Sequence, residues 1–72
     1  MLSERLDKLI DEMVDRGVYF EDAVREFEKR FIVRVLAQSD RSLKKTAHAL
    51  GIHRNTLSRK MTEYKIGKRS TP

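Results

Sequence analysis

The sequence predicts an all-α fold of four helices, two longer ones followed by two shorter ones that are joined by a tight turn. Along most of the chain, apolar residues recur at intervals of three and four, which is the period of one helical face. Glycine or a short polar segment stands where most of these periodic stretches end. Proline, which interrupts helices, occurs once, at the last position, Pro72.

The first predicted helix, helix A, runs from about Ser3 to Arg16. Its apolar face is formed by Leu2, Leu6, Leu9, Ile10, Met13 and Val14. Gly17 follows Arg16, and a helix commonly ends in this way because glycine adopts a left-handed conformation at little cost.

The second predicted helix, helix B, runs from about Phe20 to Gln38. Its apolar stripe consists of Phe20, Val24, Phe27, Phe31 and Val35. At about 100° per residue, four side chains of its second half point in separate directions: Phe31, Ile32, Val33 and Leu36. A helix that is apolar nearly all round must be covered on several sides, and helix A alone cannot do that. A β-strand is the alternative for this segment, because Phe, Ile and Val favour strands.

The last two predicted helices are short. A polar loop, Ser39–Ser42, ends in a good N-cap residue for helix C, which runs from about Leu43 to Leu50. Its inward residues are Leu43, Ala47 and Leu50. After the turn Gly51–His53, helix D runs from Arg54 to about Tyr64. Its inner stripe is Leu57, Met61 and Tyr64, and residues 67–72 lack apolar anchors.

Length and composition limit the class of protein. A chain of 72 residues forms one domain, and without cysteine and with only two histidines it has neither disulfides nor a structural zinc site. So short a chain buries little apolar surface, which favours oligomerisation as a source of stability. No apolar run could span a bilayer, and the start lacks the apolar core of a signal peptide. We expect a cytoplasmic protein without cofactor or metal.

Charge divides the chain into two unlike parts. Residues 1–40 hold seven basic and ten acidic residues, a net charge of −3. Residues 41–72 hold nine basic residues and one acidic residue, Glu63, a net charge of +8. A surface of one sign is most often a nucleic-acid surface, whereas an ordinary solvated surface mixes both signs.

Residues Leu43–Lys60 have the elements of a helix-turn-helix, namely a short helix, a turn opened by Gly51 and a second helix. Ala47 is small enough for the two helices to cross closely, and Ile52 and Leu57 close the core between them. Each feature is common by itself. Their joint spacing favours the helix-turn-helix over two helices that merely pack.

The stretch Lys44–Met61 resembles the C-terminal helix-turn-helix of Fis and of NtrC-type activators, and Arg54–Leu57 followed by Arg59 and Lys60 is especially similar to the NtrC branch. The resemblance extends over about Phe27–Ile66. It implies an all-helical homodimer in which helices A and B of two subunits form a bundle and present two helix-turn-helix units to successive major grooves. Residues 1–39 would be the dimerisation helices, residues 42–64 the helix-turn-helix and residues 67–72 a flexible basic tail.

The partner implied is double-stranded DNA, with no membrane and no small-molecule substrate. In a docked helix-turn-helix, the start of the second helix meets the base edges. Expected base contacts are Arg54, Arg59, Asn55, Thr56, His53 and Ser58. Arg54 is the first candidate, because its planar guanidinium can donate two hydrogen bonds to guanine. The resemblance implies the same role, since the matching arginine of Fis-like proteins contacts a base. Ser58 departs from Fis, in which a longer basic residue stands at this position.

Other residues are expected to hold the phosphates or the dimer. The N-terminus of helix C, with its unpaired backbone N–H groups, favours anions. Expected phosphate contacts are Ser42, Lys44, Lys45, Lys60 and Lys65. Expected dimer and core residues are Leu6, Leu9, Ile10, Met13, Phe27, Phe31 and Val35. His53 is either the N-cap of helix D or a DNA contact, and the sequence leaves both open.

Other functions have less support from the sequence than DNA binding. An enzyme lacks support, since the chain has no cysteine, no Gly-rich phosphate loop and no carboxylate cluster in its basic half. A dimeric adaptor for an acidic partner is the runner-up, and RNA binding is third, because the basic half offers one aromatic residue, Tyr64, for stacking.

Overall fold

Four helices make up the computed structural model, which describes residues 1–66. They are α1 (Leu2–Asp15), α2 (Phe20–Gln38), α3 (Leu43–Leu50) and α4 (Arg54–Tyr64), and no strand occurs within the described range. The predicted all-α class is confirmed, and three of the four helices have the predicted bounds. Helix α1 begins and ends one residue earlier than predicted. The strand alternative for the second half of α2 is wrong, and the expected tail, residues 67–72, lies outside the described residues.

The helix ends follow the predicted capping chemistry. Gly17 and Gly51 both have a left-handed backbone, with φ of +75° and +74°. At the start of α3, Ser42 Oγ accepts a hydrogen bond from the Lys45 amide at 3.2 Å, so the predicted N-cap is confirmed. Lys65 ends α4 in a left-handed conformation, and the Ile66 amide then donates to the Met61 carbonyl at 2.8 Å. These residues satisfy backbone groups that would otherwise be unpaired at the helix ends.

A small apolar core lies where α3 packs against both α2 and α4. Its buried members are Ile32, Leu36, Ala47, Leu57 and Ile66, and Leu50, Ile52, Met61 and Tyr64 pack around them. Thr46 is the buried polar residue, and its hydroxyl donates to the Ser42 carbonyl at 2.7 Å. Leu43, which was predicted to face inward, is 38% exposed because it stands at the first position of α3, at the rim of this core.

Most of the apolar surface of α1 and α2 is exposed in a single chain. Helix α1 buries no residue, and Leu9 is 53% exposed. On α2, Phe27 and Phe31 stand 57% and 51% exposed, with ring centroids 5.4 Å apart. Of the predicted dimer and core residues, Met13 and Val35 are half-buried, and five are exposed: Leu6, Leu9, Ile10, Phe27 and Phe31. None of the seven belongs to the core of the single chain. We call the five exposed residues, which lie on α1 and α2, the exposed apolar face.

The turn between α2 and α3 has a strained backbone. Asp40 and Arg41 are consecutive non-glycine residues with positive φ, 55° and 59°. Such a conformation costs an L-residue roughly 1–2 kcal/mol, although aspartate tolerates it better than most. The Arg41 amide donates to the Leu36 carbonyl at 2.9 Å, which helps to hold the turn. This tight reversal brings α3 back against α2.

None of the helices within residues 1–66 is both long enough and apolar enough to cross a membrane.

Candidate nucleic-acid interface

The packing of α3 on α4 decides which side of α4 faces outward. Leu57 is completely buried and Ala47 is 4% exposed, so the two helices meet with little space between them. Met61 lies half-buried on the same side of α4 as Leu57. Arg54, Asn55, Ser58 and Arg59 are exposed, and Thr56 is half-buried. Asn55 and Arg59 lie opposite Leu57, whereas Arg54 lies one turn before Leu57 and is exposed because it stands at the first position of the helix. The predicted base contacts in α4 are therefore accessible at its first position and on its outer side, with Thr56 at the edge.

His53 forms the N-cap of α4. Its Nδ1 atom accepts a hydrogen bond from the Asn55 amide at 3.0 Å, and its backbone is extended, as in most N-cap residues. A neutral histidine that accepts at Nδ1 carries its proton on Nε2. The side chain is exposed, so this Nε2–H group is an available donor at the start of the helix. Capping and DNA contact, which the sequence presented as alternatives, are compatible in this geometry.

The predicted phosphate contacts lie at opposite ends of the helix-turn-helix. Lys44 and Lys45 are exposed in the first turn of α3, next to Ser42. Lys45 Nζ lies 4.0 Å from Asp40 Oδ2, but both side chains are largely exposed, and such pairs contribute little in water. Lys65 is exposed at the C-terminal end of α4.

Lys60 differs from Lys44, Lys45 and Lys65. It is half-buried, and its Nζ donates to Glu28 Oε1 on α2 at 2.9 Å. The Tyr64 hydroxyl donates to the same oxygen at 2.6 Å. We call Glu28, Lys60 and Tyr64 the Glu28 cluster. Sequence reasoning missed Glu28, because its partners lie 32 and 36 residues further along the chain.

The Glu28 cluster shifts the pKa values of two of its members. The Tyr64 hydroxyl, and then Lys60, lower the pKa of Glu28 by stabilising its carboxylate. The same hydrogen bond, with partial burial, raises the pKa of Tyr64 to about 12. A lowered carboxyl pKa means that this contribution to stability is present at neutral pH and is lost as the pH falls through the folded-state pKa of Glu28.

The comparison with protein families agrees with this geometry. The family model described as bacterial regulatory protein, Fis family, matches residues 23–64, which is more than half of the chain. The chain belongs to the Fis family. No curated protein and no solved structure matches it significantly.

Membership of the Fis family assigns the helix-turn-helix its role. The matched residues comprise most of α2 and all of α3 and α4, whereas α1 lies outside the match. The chain is therefore a helix-turn-helix DNA-binding domain of the kind found in bacterial transcription regulation. Its cationic second half, with Glu63 as the single acidic residue of residues 41–72, suits a polyanionic partner.

A capping role for His53 in this Fis-family domain predicts the outcome of two substitutions. His53→Ala removes the acceptor for the Asn55 amide, and the free energy of unfolding should fall by about 1 kcal/mol. His53→Asn, whose side-chain oxygen can accept the same bond, should keep most of that stability. Urea unfolding followed by circular dichroism measures both. Equal stability of the two variants would show that the 3.0 Å hydrogen bond contributes nothing.

Proposed function

We propose that this Fis-family domain binds double-stranded DNA as a homodimer with sequence-specific or semi-specific affinity, in bacterial transcription regulation or nucleoid organisation. Such a protein works in the cytoplasm, on the nucleoid. The observation that carries the proposal is the arrangement of α4, in which Leu57 is fully buried while Arg54 is exposed at the start of the helix and Asn55 and Arg59 are exposed on its outer side. A helix held on one side by its core is rigid enough to read base edges with the other.

Base recognition is assigned to the first two turns of α4. Arg54 stands at the first helical position, directly after the His53 cap, so its guanidinium extends from the end of the helix that enters the groove. Its fork can donate two parallel hydrogen bonds to guanine O6 and N7. Asn55, Ser58 and Arg59 are exposed beside it, and Thr56 lies at the edge of the same surface. The His53 Nε2–H group offers one further donor.

Phosphate binding is assigned to the two ends of the helix-turn-helix. At the start of α3, the Ser42 cap and exposed Lys44 and Lys45 accompany backbone N–H groups that point out of the helix end. Lys65 supplies a cation at the far end of α4. These contacts would fix the position of α4 in the groove without reading sequence.

The exposed apolar face of α1 and α2 supports the homodimer. Phe27, Phe31 and Leu9 are each more than half exposed in the single chain. Exposed aromatic and aliphatic side chains in this number are unusual on a small monomer and mark an interaction surface. A second copy of the chain offers a matching apolar face. It also provides two recognition helices for two successive major grooves.

Duplex binding measured across salt concentrations tests this function. With Lys44, Lys45 and Lys65 from two subunits on about six phosphates, the logarithm of the binding constant should fall against the logarithm of the salt concentration with a slope of roughly −5. A selected site should be bound more tightly than a random duplex of equal length. A protein that ignores the duplex at low salt but binds an acidic polypeptide would be an adaptor, and a preference for single-stranded RNA would also contradict the proposal.

A further inference from the structure

The Glu28 cluster joins two helices that lie far apart in the sequence. Glu28 on α2 accepts hydrogen bonds from Lys60 and Tyr64 on α4, both on its Oε1 atom, at 2.9 and 2.6 Å. The other side-chain hydrogen bonds within residues 1–66 connect residues at most four positions apart. In the described part of the chain, the cluster is therefore the one hydrogen-bonded side-chain link between α2 and the recognition helix.

The faces of the two helices explain how this link arises. Lys60 and Tyr64 are four residues apart, so they lie on the same side of α4. On α2, Glu28 shares a side with Ile32 and Leu36, which are both buried in the core. The cluster thus extends the contact between α2 and the helix-turn-helix beyond the end of the apolar core.

The neighbour of Glu28 faces a different way. Phe27 is rotated by about 100° from Glu28 on the helix and belongs to the exposed apolar face. One turn of α2 therefore carries Phe27, which faces the proposed partner subunit, and Glu28, which binds α4 through hydrogen bonds. Any rotation of α4 relative to α2 changes where the recognition helix points in the dimer.

Directional bonds add resistance to such a rotation. The apolar core is small, and apolar contact is non-directional, so it resists separation of the helices better than rotation. Hydrogen bonds weaken steeply when their geometry is disturbed. Two donors on one carboxylate oxygen hold Lys60 and Tyr64, and with them α4, at a fixed angle to α2.

We propose that Glu28 is a positioning residue for DNA recognition: through Lys60 and Tyr64 it fixes the orientation of α4 on α2, and thereby the spacing between the two recognition helices of the dimer. Lys60 serves this link and is not a phosphate contact, in contrast to the expectation from sequence. The inference rests on the proposed function, since it requires a dimer bound to DNA.

Spacing selectivity is the first readout. A site selected by the wild-type protein from a random duplex library is resynthesised with one base pair added to or removed from its centre. Glu28→Ala should reduce the preference for the original spacing by roughly tenfold, the factor to which one hydrogen bond to a charged group can amount. Glu28→Gln, which keeps an acceptor for Tyr64, should give an intermediate value. The matched control is Glu26→Ala, because Glu26 pairs with Arg30 inside α2 at 3.0 Å and, within residues 1–66, makes no hydrogen bond or ion pair with α4.

The salt slope is the second readout, and it tests Lys60 directly. The double variant Glu28→Gln/Lys60→Met removes both charges of the pair and leaves the net charge unchanged. Its slope should equal that of the wild type. Lys44→Met, which removes an exposed lysine from the start of α3, should flatten the slope by about 0.9 for each phosphate that the dimer no longer neutralises.

The outcomes separate this inference from the proposed function. If the wild-type protein does not bind duplex DNA, the proposed function fails and the inference fails with it. If the wild type binds with a steep salt slope and a clear spacing preference, but Glu28→Ala keeps that preference, the inference alone is wrong. It is also wrong if the double variant flattens the slope as Lys44→Met does. Circular dichroism of each variant establishes that the helices are intact. If Glu28→Ala does not fold, the spacing preference of Glu28→Gln is compared with that of the wild type instead.

Discussion

Phe31→Asp is expected to abolish the dimer and, with it, tight binding to DNA. Phe31 is 51% exposed in the single chain and lies outside its core, so its side chain would be covered only in the proposed homodimer. Burial of a phenylalanine contributes roughly 1.5–3 kcal/mol, and a two-fold dimer contains two copies. Burial of a carboxylate in the same place costs still more. The dimer dissociation constant should rise by at least about a hundredfold.

Sedimentation equilibrium over a range of protein concentrations measures this effect, with circular dichroism to follow the helices. The matched control is Phe31→Leu, which keeps an apolar side chain and should remain dimeric. Because two half-sites are bound together only by a dimer, duplex affinity of Phe31→Asp should fall towards that of a single helix-turn-helix. A variant that stays dimeric and binds the selected site like the wild type would contradict the assignment of this face to the dimer.

The helices could be predicted closely because their signals are local. The ends of α3 and α4 depend on Ser42, Gly51 and His53, and each acts on backbone groups within a few residues of itself. The apolar period then fixes which side of α4 is buried, so the burial of Leu57 followed from spacing, and the exposure of Arg54 from its charge and its place at the start of the helix.

Features that depend on the tertiary fold could not be predicted in this way. Asp40 and Arg41 adopt positive φ although neither is glycine, because the return of α3 onto α2 requires a tight turn at that point. Ile66 lies beyond the last predicted helix, yet it is 7% exposed because the left-handed Lys65 turns it back onto the core. Neither residue type nor spacing indicates such positions before the packing partners are known.

In the candidate site, too, some features follow from local sequence and others depend on the tertiary fold. The base-contact candidates lie within one short segment, so helical geometry places them together. The pairing of Lys60 with Glu28 joins residues that are 32 positions apart, and a lysine on a basic helix gives no sign that it is engaged by a carboxylate. The sequence places Lys60 on a basic helix, but its pairing with Glu28 is visible only in the folded chain.

Arg54→Lys is expected to lose sequence discrimination while it keeps most of the non-specific affinity. Both side chains are cationic, but only arginine presents two parallel donors to guanine O6 and N7. A good bidentate contact provides about 1–3 kcal/mol of discrimination, which corresponds to roughly fivefold to 150-fold per half-site. Arg54 is exposed at the first position of α4 and lies outside the core, so neither Arg54→Lys nor Arg54→Ala should change the free energy of unfolding substantially.

The measurement is the ratio of binding constants for the selected site and for a random duplex at one salt concentration. Arg54→Ala should lower this ratio as much as Arg54→Lys does, since neither alanine nor lysine has the two parallel donors of the guanidinium group. Its salt slope should stay near that of the wild type if Arg54 contacts a base, because the slope counts phosphates. If Arg54→Lys keeps the wild-type ratio while Arg54→Ala flattens the slope, Arg54 acts as a phosphate contact, and base recognition must lie further along α4, at Ser58 or Arg59.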